Sequence, residues 1–188
     1  MLIGVFVGGA SRRMGGAPKG LLTIDGEPLV ARALRVAREV GGEVVLVGRA
    51  DAYRDVAAGC ELLADDPAGV GPLGGLSALL ARAGHGLAIA LACDMPNLRA
   101  EPLRALAESE SEAAVVAARR DVDAPWEPLF ARYDAPRVLP VLRECLRGGE
   151  RSFQRLLARL DVQALALDPD ARDVLDDWDA PSDVAGRR

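Results

Sequence analysis

The run Leu2-Ile3-Gly4-Val5-Phe6-Val7 is nearly continuous in apolar residues and empties into Gly8-Gly9-Ala10-Ser11-Arg12-Arg13-Met14-Gly15-Gly16-Ala17-Pro18-Lys19. An apolar run of this kind is the pattern of a strand covered on both faces. The loop after it holds four glycines, two arginines and a lysine. Glycines permit positive φ and let backbone N–H groups approach a ligand with no Cβ in the way. Successive N–H groups in such a loop form a concave anion site, and cationic side chains close over it. A buried strand feeding this loop is a place to hold a polyphosphate.

Two commoner phosphate loops are excluded. The P-loop requires G-x-x-x-x-G-K-[ST], whereas Lys19 follows Pro18 and precedes Gly20. The dinucleotide fingerprint G-x-G-x-x-G fails because the glycines stand at 8, 9, 15 and 16.

Downstream, buried-strand and helix patterns alternate. Pro28 opens a helix whose apolar residues recur from Leu29 to Ala37 before Gly41-Gly42, and Val44–Val47 is a second strand. A short helix over Ala52–Ala58 and a short strand over Glu61–Ala64 lead into Asp65-Asp66. Leu73–Ala83 reads as a helix, and Leu87–Cys93 as a strong strand that delivers Asp94 at its carboxyl end. A helix over Arg99–Glu108, strands over Ala113–Ala118 and Pro128–Tyr133, helices over Pro136–Arg147 and Ser152–Leu160, and a strand over Val162–Leu167 follow. The chain then closes in a stretch rich in Asp and Ala. This alternation implies an α/β fold with a mainly parallel sheet and helices on both faces. Ligands in such sheets lie beyond the carboxyl ends of the strands, where the glycine loop, Asp65-Asp66, Gly71 and Asp94 all fall.

At 188 residues the expectation is one domain spanning 1–188, able to bury about two-thirds of its unfolded surface. Half of the residues are apolar but only 4% are aromatic, which suits helices packed on a sheet. A net charge of −5 disfavours broad nucleic-acid surfaces while leaving room for a local basic loop. Cys60, Cys93 and Cys145 form no C-x-x-C pair, and His85 is the sole histidine. The cysteines are poor material for a disulfide framework or a zinc site and fit a reducing compartment, and the single histidine excludes histidine triads and multi-histidine metal sites. The opening apolar run is too short for a signal segment, and no stretch approaches bilayer length. A cytoplasmic protein with no membrane association is expected.

Gly8-Gly9-x-Ser11-x-Arg13-Met14-Gly15 with Lys19 resembles the G-G-x-S-x-R-M-G-x-x-x-K signature of nucleotidyltransferases that act on molybdopterin and sugar phosphates. The double glycine leans toward the molybdenum cofactor guanylyltransferase family. Gly71-Pro72-Leu73-Gly74-Gly75-Leu76 is similar to that family's G-P-L-x-G-[IL], and Cys93-Asp94-Met95-Pro96 to its C-D-[MT]-P metal motif. Glu127-Pro128-Leu129-Phe130-Ala131-Arg132-Tyr133 is similar to its P-L-x-A-x-[YW] strand.

The resemblance implies a three-layer, Rossmann-like nucleotidyltransferase fold and transfer of GMP from GTP to the terminal phosphate of molybdenum-loaded molybdopterin. Molybdopterin guanine dinucleotide and pyrophosphate are then the products. It implies Mg²⁺ as cofactor with Asp94 as its ligand, and Arg13, Lys19 and Asp94 as the residues carrying the chemistry. Phe6, Val7, Gly8, Gly9, Lys19, Asp65, Gly71 and Asp94 are the implied nucleotide contacts. GTP and molybdopterin are the implied partners, with transient contacts to molybdoenzymes or molybdenum-insertion proteins.

Physical chemistry supports these roles. Mg²⁺ takes one or two carboxylates plus substrate phosphates, and Lys19 and Arg13 supply the positive charge that a departing pyrophosphate needs. Three alternatives stay open: Asp94 as a helix cap, Asp66 in place of Asp65, and a plain Asp-Asp-Pro turn. The sequence departs from the family pattern at Pro18, where Asp is frequent, and at Val47-Gly48-Arg49, where Asn can contact nucleotide. It departs again at Asp177-Trp178-Asp179, where the pattern has two asparagines. Asp177 and Asp179 stand either as further metal ligands or as solvated acids. These departures bear on base choice and molybdopterin contacts rather than on phosphate chemistry. A CTP-dependent cytidylyltransferase and a non-catalytic nucleotide-binding adaptor are the rival functions.

Overall fold

The computed structural model describes residues 1–7, 18–49 and 51–177. Gly8, Gly9, Arg13 and Asp179 therefore lie outside the described residues. In chain order the strands and helices are β1 (Leu2–Phe6), β2 (Thr23–Ile24), β3 (Glu27–Pro28), α1 (Leu29–Val40), β4 (Glu43–Val47), β5 (Glu61–Leu63), α2 (Pro72–Ala83) and β6 (Leu87–Ala92). They continue with α3 (Ala100–Ala107), β7 (Val115–Arg119), β8 (Trp126–Asp134), α4 (Ala135–Arg147), α5 (Phe153–Leu157) and β9 (Val162–Ala164).

Seven strands form one sheet in the order β5-β4-β1-β6-β8-β7-β9. Pairing is parallel throughout except that β8 runs antiparallel to both β6 and β7. The link from β7 to β8 covers only residues 120–125, too short for the crossover of roughly a dozen residues that a parallel pair needs.

Side chains of the central strands alternate strictly between the two faces. Ile3, Val5, Leu46, Ile89 and Leu91 meet α1 and α3 through Ala33, Leu34, Leu103 and Leu106. Leu2, Phe6, Val45, Val47, Ala88 and Ala90 meet α2, α4 and α5 through Leu76, Leu79, Leu142 and Leu156. The expected α/β sandwich, with helices on both faces, is therefore present. Among the described residues no helix is long and apolar enough to cross a membrane.

Local expectations changed where anchoring was weak. The stretch expected as a helix over Ala52–Ala58 is a 3₁₀ turn at Asp51–Tyr53 followed by turns. Only Tyr53 and Ala57 bury there, too few anchors to nucleate a short helix. The last strand shrinks to Val162–Ala164 because it pairs with only Val115–Ala117 of β7. The helix expected to Leu160 ends at Leu157 and tightens into bonds from Arg159 and Leu160 to the carbonyls of Leu156 and Leu157. A hairpin of β2 and β3 turns at Asp25-Gly26, both at positive φ, as an Asp-Gly turn favours. The acidic tail folds into a 3₁₀ segment at Pro169–Leu175 that buries Val174 and Leu175.

Candidate active site

The chain runs from β1 outward to β4 and β5, then returns through α2 to β6 on the other side of β1. The strand order reverses there, and sheets of this kind take their ligands beyond the carboxyl ends of the strands at such a point. Backbone bonds hold these ends in line: Val7 N–H donates to Val47 O at 2.9 Å, Gly48 N–H to Leu63 O at 2.9 Å, and Cys93 N–H to Phe6 O at 3.3 Å.

Asp94 follows β6 at this edge, and Lys19 begins the 3₁₀ turn Lys19–Leu21 that leaves the glycine loop. Lys19 Nζ lies 3.4 Å from Asp94 Oδ2, and both side chains are only 21% exposed. Burial pushes the Asp94 carboxyl above its ordinary range, Lys19 pulls it back, and the charge of Asp177 raises it again. The helix-cap alternative for Asp94 fails, because α3 starts at Ala100 with Arg99 in the cap position. Beneath the pair, a Cβ on Gly20 would sit 2.9 Å from Tyr53 Cε1 and 3.1 Å from Cys93 Sγ, so this position needs glycine. Burial and its neighbours raise the Tyr53 phenol to about 12. The same cause holds the Cys93 thiol well above its ordinary value, so it stays a neutral buried side chain.

A second wall is built by the segment after β5 and the start of α2. Asp65 is half-buried and Asp66 exposed. Asp66 uses its N–H on Gly74 O at 3.1 Å, while the Asp65 carboxylate points at α2. A Cβ on Gly75 would fall 2.8 Å from Val47 Cγ1, 2.9 Å from Phe6 Cε1 and 3.1 Å from Asp65 Oδ1. The glycine thus lets the helix start reach the strand ends. Gly71, at φ +73°, occupies the cap position of α2. Phe6, Val7 and Val47 are all buried, so their side chains belong to the core and only their backbone faces the edge. Arg49, just past Val47, lowers the pKa of an Asp65 carboxyl that burial otherwise raises.

A third wall was not evident from sequence. Asn97 Nδ2 donates to Asp173 O at 3.0 Å, and Arg99 forms a two-pronged bond with the Asp173 carboxylate at 2.7 and 3.1 Å. These bonds pin the Pro169–Leu175 segment to the loop that follows Asp94. Arg120, the first residue after β7, donates to Leu175 O and to Asp176 Oδ1, the latter at 2.8 Å. It also lies 3.5 Å from Glu127 Oε1 and 3.9 Å from Asp177 Oδ1. Of this wall, the sequence singled out Asp177 alone, as a further metal ligand or a solvated acid.

Lys19, Asp94, Asp65, Gly71, Phe6 and Val7 thus border one edge of the sheet, as expected of them. Among the described residues no three acidic, histidine or cysteine side chains assemble into a metal cluster. A Mg²⁺ ion needs fewer protein ligands when substrate phosphates complete its shell. The hard oxygens of Asp94, with the Asp177 charge nearby and the Lys19 ammonium beside it, are chemically suited to that ion.

The family model for the MobA-like NTP transferase domain matches residues 3–164. A molybdenum cofactor guanylyltransferase of Pseudomonas putida strain GB-1 is 38% identical over 191 residues, covering 97% of this chain and 94% of the relative. In structure, molybdopterin-guanine dinucleotide biosynthesis protein A from Archaeoglobus fulgidus superposes with a TM-score of 0.79 at 23% identity, covering 100% of this chain and 96% of that one. The 2-C-methyl-D-erythritol 4-phosphate cytidylyltransferase of Thermus thermophilus shares the fold at a TM-score of 0.70 and 14% identity, covering 98% of this chain and 95% of its own. With a family model matching residues 3–164 and a relative 38% identical over 97% of its length, the chain belongs to the MobA-like NTP transferases and is a nucleotidyltransferase.

Proposed function

We propose that this nucleotidyltransferase transfers GMP from GTP to the terminal phosphate of molybdenum-loaded molybdopterin and that it does so with Mg²⁺. A phosphate oxygen of molybdopterin forms a bond to the α-phosphorus of GTP. The bond from that phosphorus to the α–β bridging oxygen breaks, and pyrophosphate leaves with the electron pair. The attacking phosphate is already anionic, so no protein base is required. Reading the reaction this way accounts for an edge that carries a cation, a carboxylate and backbone donors but no histidine.

The observation that carries this proposal is the Lys19–Asp94 pair, two residues 75 positions apart meeting at the switch point of the sheet. Lys19, together with Arg13, holds the triphosphate and offsets the charge that builds on the departing pyrophosphate. Asp94 would hold the Mg²⁺ ion, which would supply positive charge to the phosphate oxygens. The backbone of Phe6, Val7, Gly8 and Gly9 receives the base and ribose, and Asp65 with Gly71 borders the nucleotide from the α2 side. GTP is assigned over CTP because the similar sequences carry guanylyltransferase names and because Gly8-Gly9 and Gly71–Leu76 follow that pattern. A cytoplasmic site of action and transient contact with molybdenum-insertion proteins or molybdoenzymes follow from the nature of the product.

Pyrophosphate release tests the proposal. With Mg²⁺ and molybdopterin, GTP is expected to release pyrophosphate faster than CTP or ATP, because backbone groups fitted to guanine would be left unpaired by other bases. CTP turnover equal to or above that of GTP overturns the base assignment. Tight GTP binding with no pyrophosphate under any condition favours a non-catalytic adaptor.

A further inference from the structure

Arg120 is the point where the third wall is tied together. Its guanidinium contacts Asp176 Oδ1 at 2.8 Å, Glu127 Oε1 at 3.5 Å and Asp177 Oδ1 at 3.9 Å, and donates to Leu175 O as well. Three carboxylates from β8 and the C-terminal segment thus converge on one cation. Without it they would repel one another across a partly buried edge. Asn97 and Arg99 fasten the earlier part of the same segment to the loop after Asp94. Val174 and Leu175 sink into the core between these two fastenings.

Asp177 adds a negative charge to an edge that already carries Glu127 and Asp176, and the Arg120 guanidinium lies within 3.9 Å of all three carboxylates. Arg120 supplies the cation at this point, and its planar fork holds several acceptors in one fixed geometry, which a lysine's rotatable point charge does not.

We infer that Arg120 is a positioning residue of the nucleotidyl transfer: by binding Glu127, Asp176 and Asp177 together it fixes the segment ending at Asp177 beside Asp94. This inference rests on the proposed reaction for its effect on turnover. Its structural part is independent of that reaction. Arg120 touches no reacting atom in this arrangement and acts through the carboxylates it holds.

The test uses the full chain with Arg120→Met, Arg120→Lys and the double variant Arg120→Met with Asp177→Asn. Thermal melting, amide hydrogen exchange over residues 170–177, and steady-state kinetics with GTP, molybdopterin and Mg²⁺ are measured on each. In Arg120→Met, exchange over 170–177 is expected to rise about tenfold or more while the central strands stay protected. kcat is expected to fall about tenfold or more, with KM for GTP changed by less than about threefold and more Mg²⁺ needed for half-maximal rate. Arg120→Lys should fall between, and Asp177→Asn on the Arg120→Met background should recover part of the lost rate by removing one unpaired charge. Unchanged exchange and unchanged kcat in Arg120→Met overturn the inference, as does a rate loss that Asp177→Asn leaves untouched. If Arg120→Met does not fold, Arg120→Lys decides: wild-type protection and kcat in that variant contradict the three-way tie. A wild-type protein that releases no pyrophosphate counts against the assigned reaction, and exchange over 170–177 still decides whether Arg120 holds the segment.

Discussion

Lys19 Nζ and Asp94 Oδ2 stand 3.4 Å apart, each side chain about four-fifths buried. The strand end that carries Asp94 and the turn that carries Lys19 therefore set one another's position. In the proposed reaction Lys19 holds phosphate and Asp94 a metal ion, and the two are neighbours before any substrate binds. Little rearrangement is then needed when the triphosphate arrives, which is the condition under which electrostatic stabilisation is most effective.

Asp94→Asn keeps the shape of the side chain and removes its charge. Turnover is expected to fall by about 10²–10³-fold, because in the proposed reaction the variant loses its anionic metal ligand. A melting curve close to wild type, with a rate that added Mg²⁺ does not restore, is the expected pair of results. Near-normal turnover at saturating Mg²⁺ would remove Asp94 from the metal site.

Lys19→Met keeps the aliphatic stem and deletes the ammonium. A loss of roughly 2–4 kcal/mol in kcat/KM is expected, with the fold intact, and Arg13→Ala should behave likewise. Kinetics alongside far-ultraviolet circular dichroism check this. A variant that is folded and fully active would show that the residue does not hold phosphate.

Gly75→Ala places a methyl group within 2.8 Å of Val47 Cγ1 and 2.9 Å of Phe6 Cε1. The start of α2 must move away from the strand ends, at a cost of about 1–3 kcal/mol in stability. Because that movement also displaces Asp65, KM for the nucleotide should rise. Urea unfolding and initial rates measure the two effects. A variant as stable as wild type with an unchanged KM would contradict the close approach.

Asp65 carries a sign-specific prediction for stability. Burial raises its pKa above the ordinary 3.8, so the folded state disfavours the ionised form. The penalty is absent below the unfolded value and grows as pH rises through the folded one. Asp65→Asn should therefore melt higher than wild type at neutral pH, with the gap closing as pH falls below about 3.8. The same variant should bind nucleotide more weakly. A lower melting temperature at neutral pH would contradict the sign.

Asp94 was legible in the sequence because an unbroken apolar run ends at that residue, and the same pattern placed Phe6 and Val7 at a strand end. Lys19 was legible from the glycines around it. The inward face of Val47 follows from strand alternation, which turns its side chain toward Gly75 and leaves only backbone at the edge. The β2–β3 hairpin carried its own signal in Asp25-Gly26, but strands of two residues leave too little apolar pattern to stand out. Of the third wall only Asp177 was singled out in the sequence, and its tie to Arg120 was not legible. Arg120 and Asp176 are 56 residues apart, and a charged contact at that separation leaves no periodic trace. The acidic tail was indistinguishable from a solvated one until Val174 and Leu175 were seen to bury.

The most direct test follows the α-phosphorus. GTP labelled at that atom is incubated with molybdopterin, Mg²⁺ and either wild-type protein or Asp94→Asn, and the products are separated. The label is expected in a molybdopterin dinucleotide with wild type, alongside unlabelled pyrophosphate in equal amount, and to remain in GTP with Asp94→Asn. Label recovered as GDP, or an equal yield of labelled dinucleotide from both proteins, would contradict nucleotidyl transfer centred on Asp94.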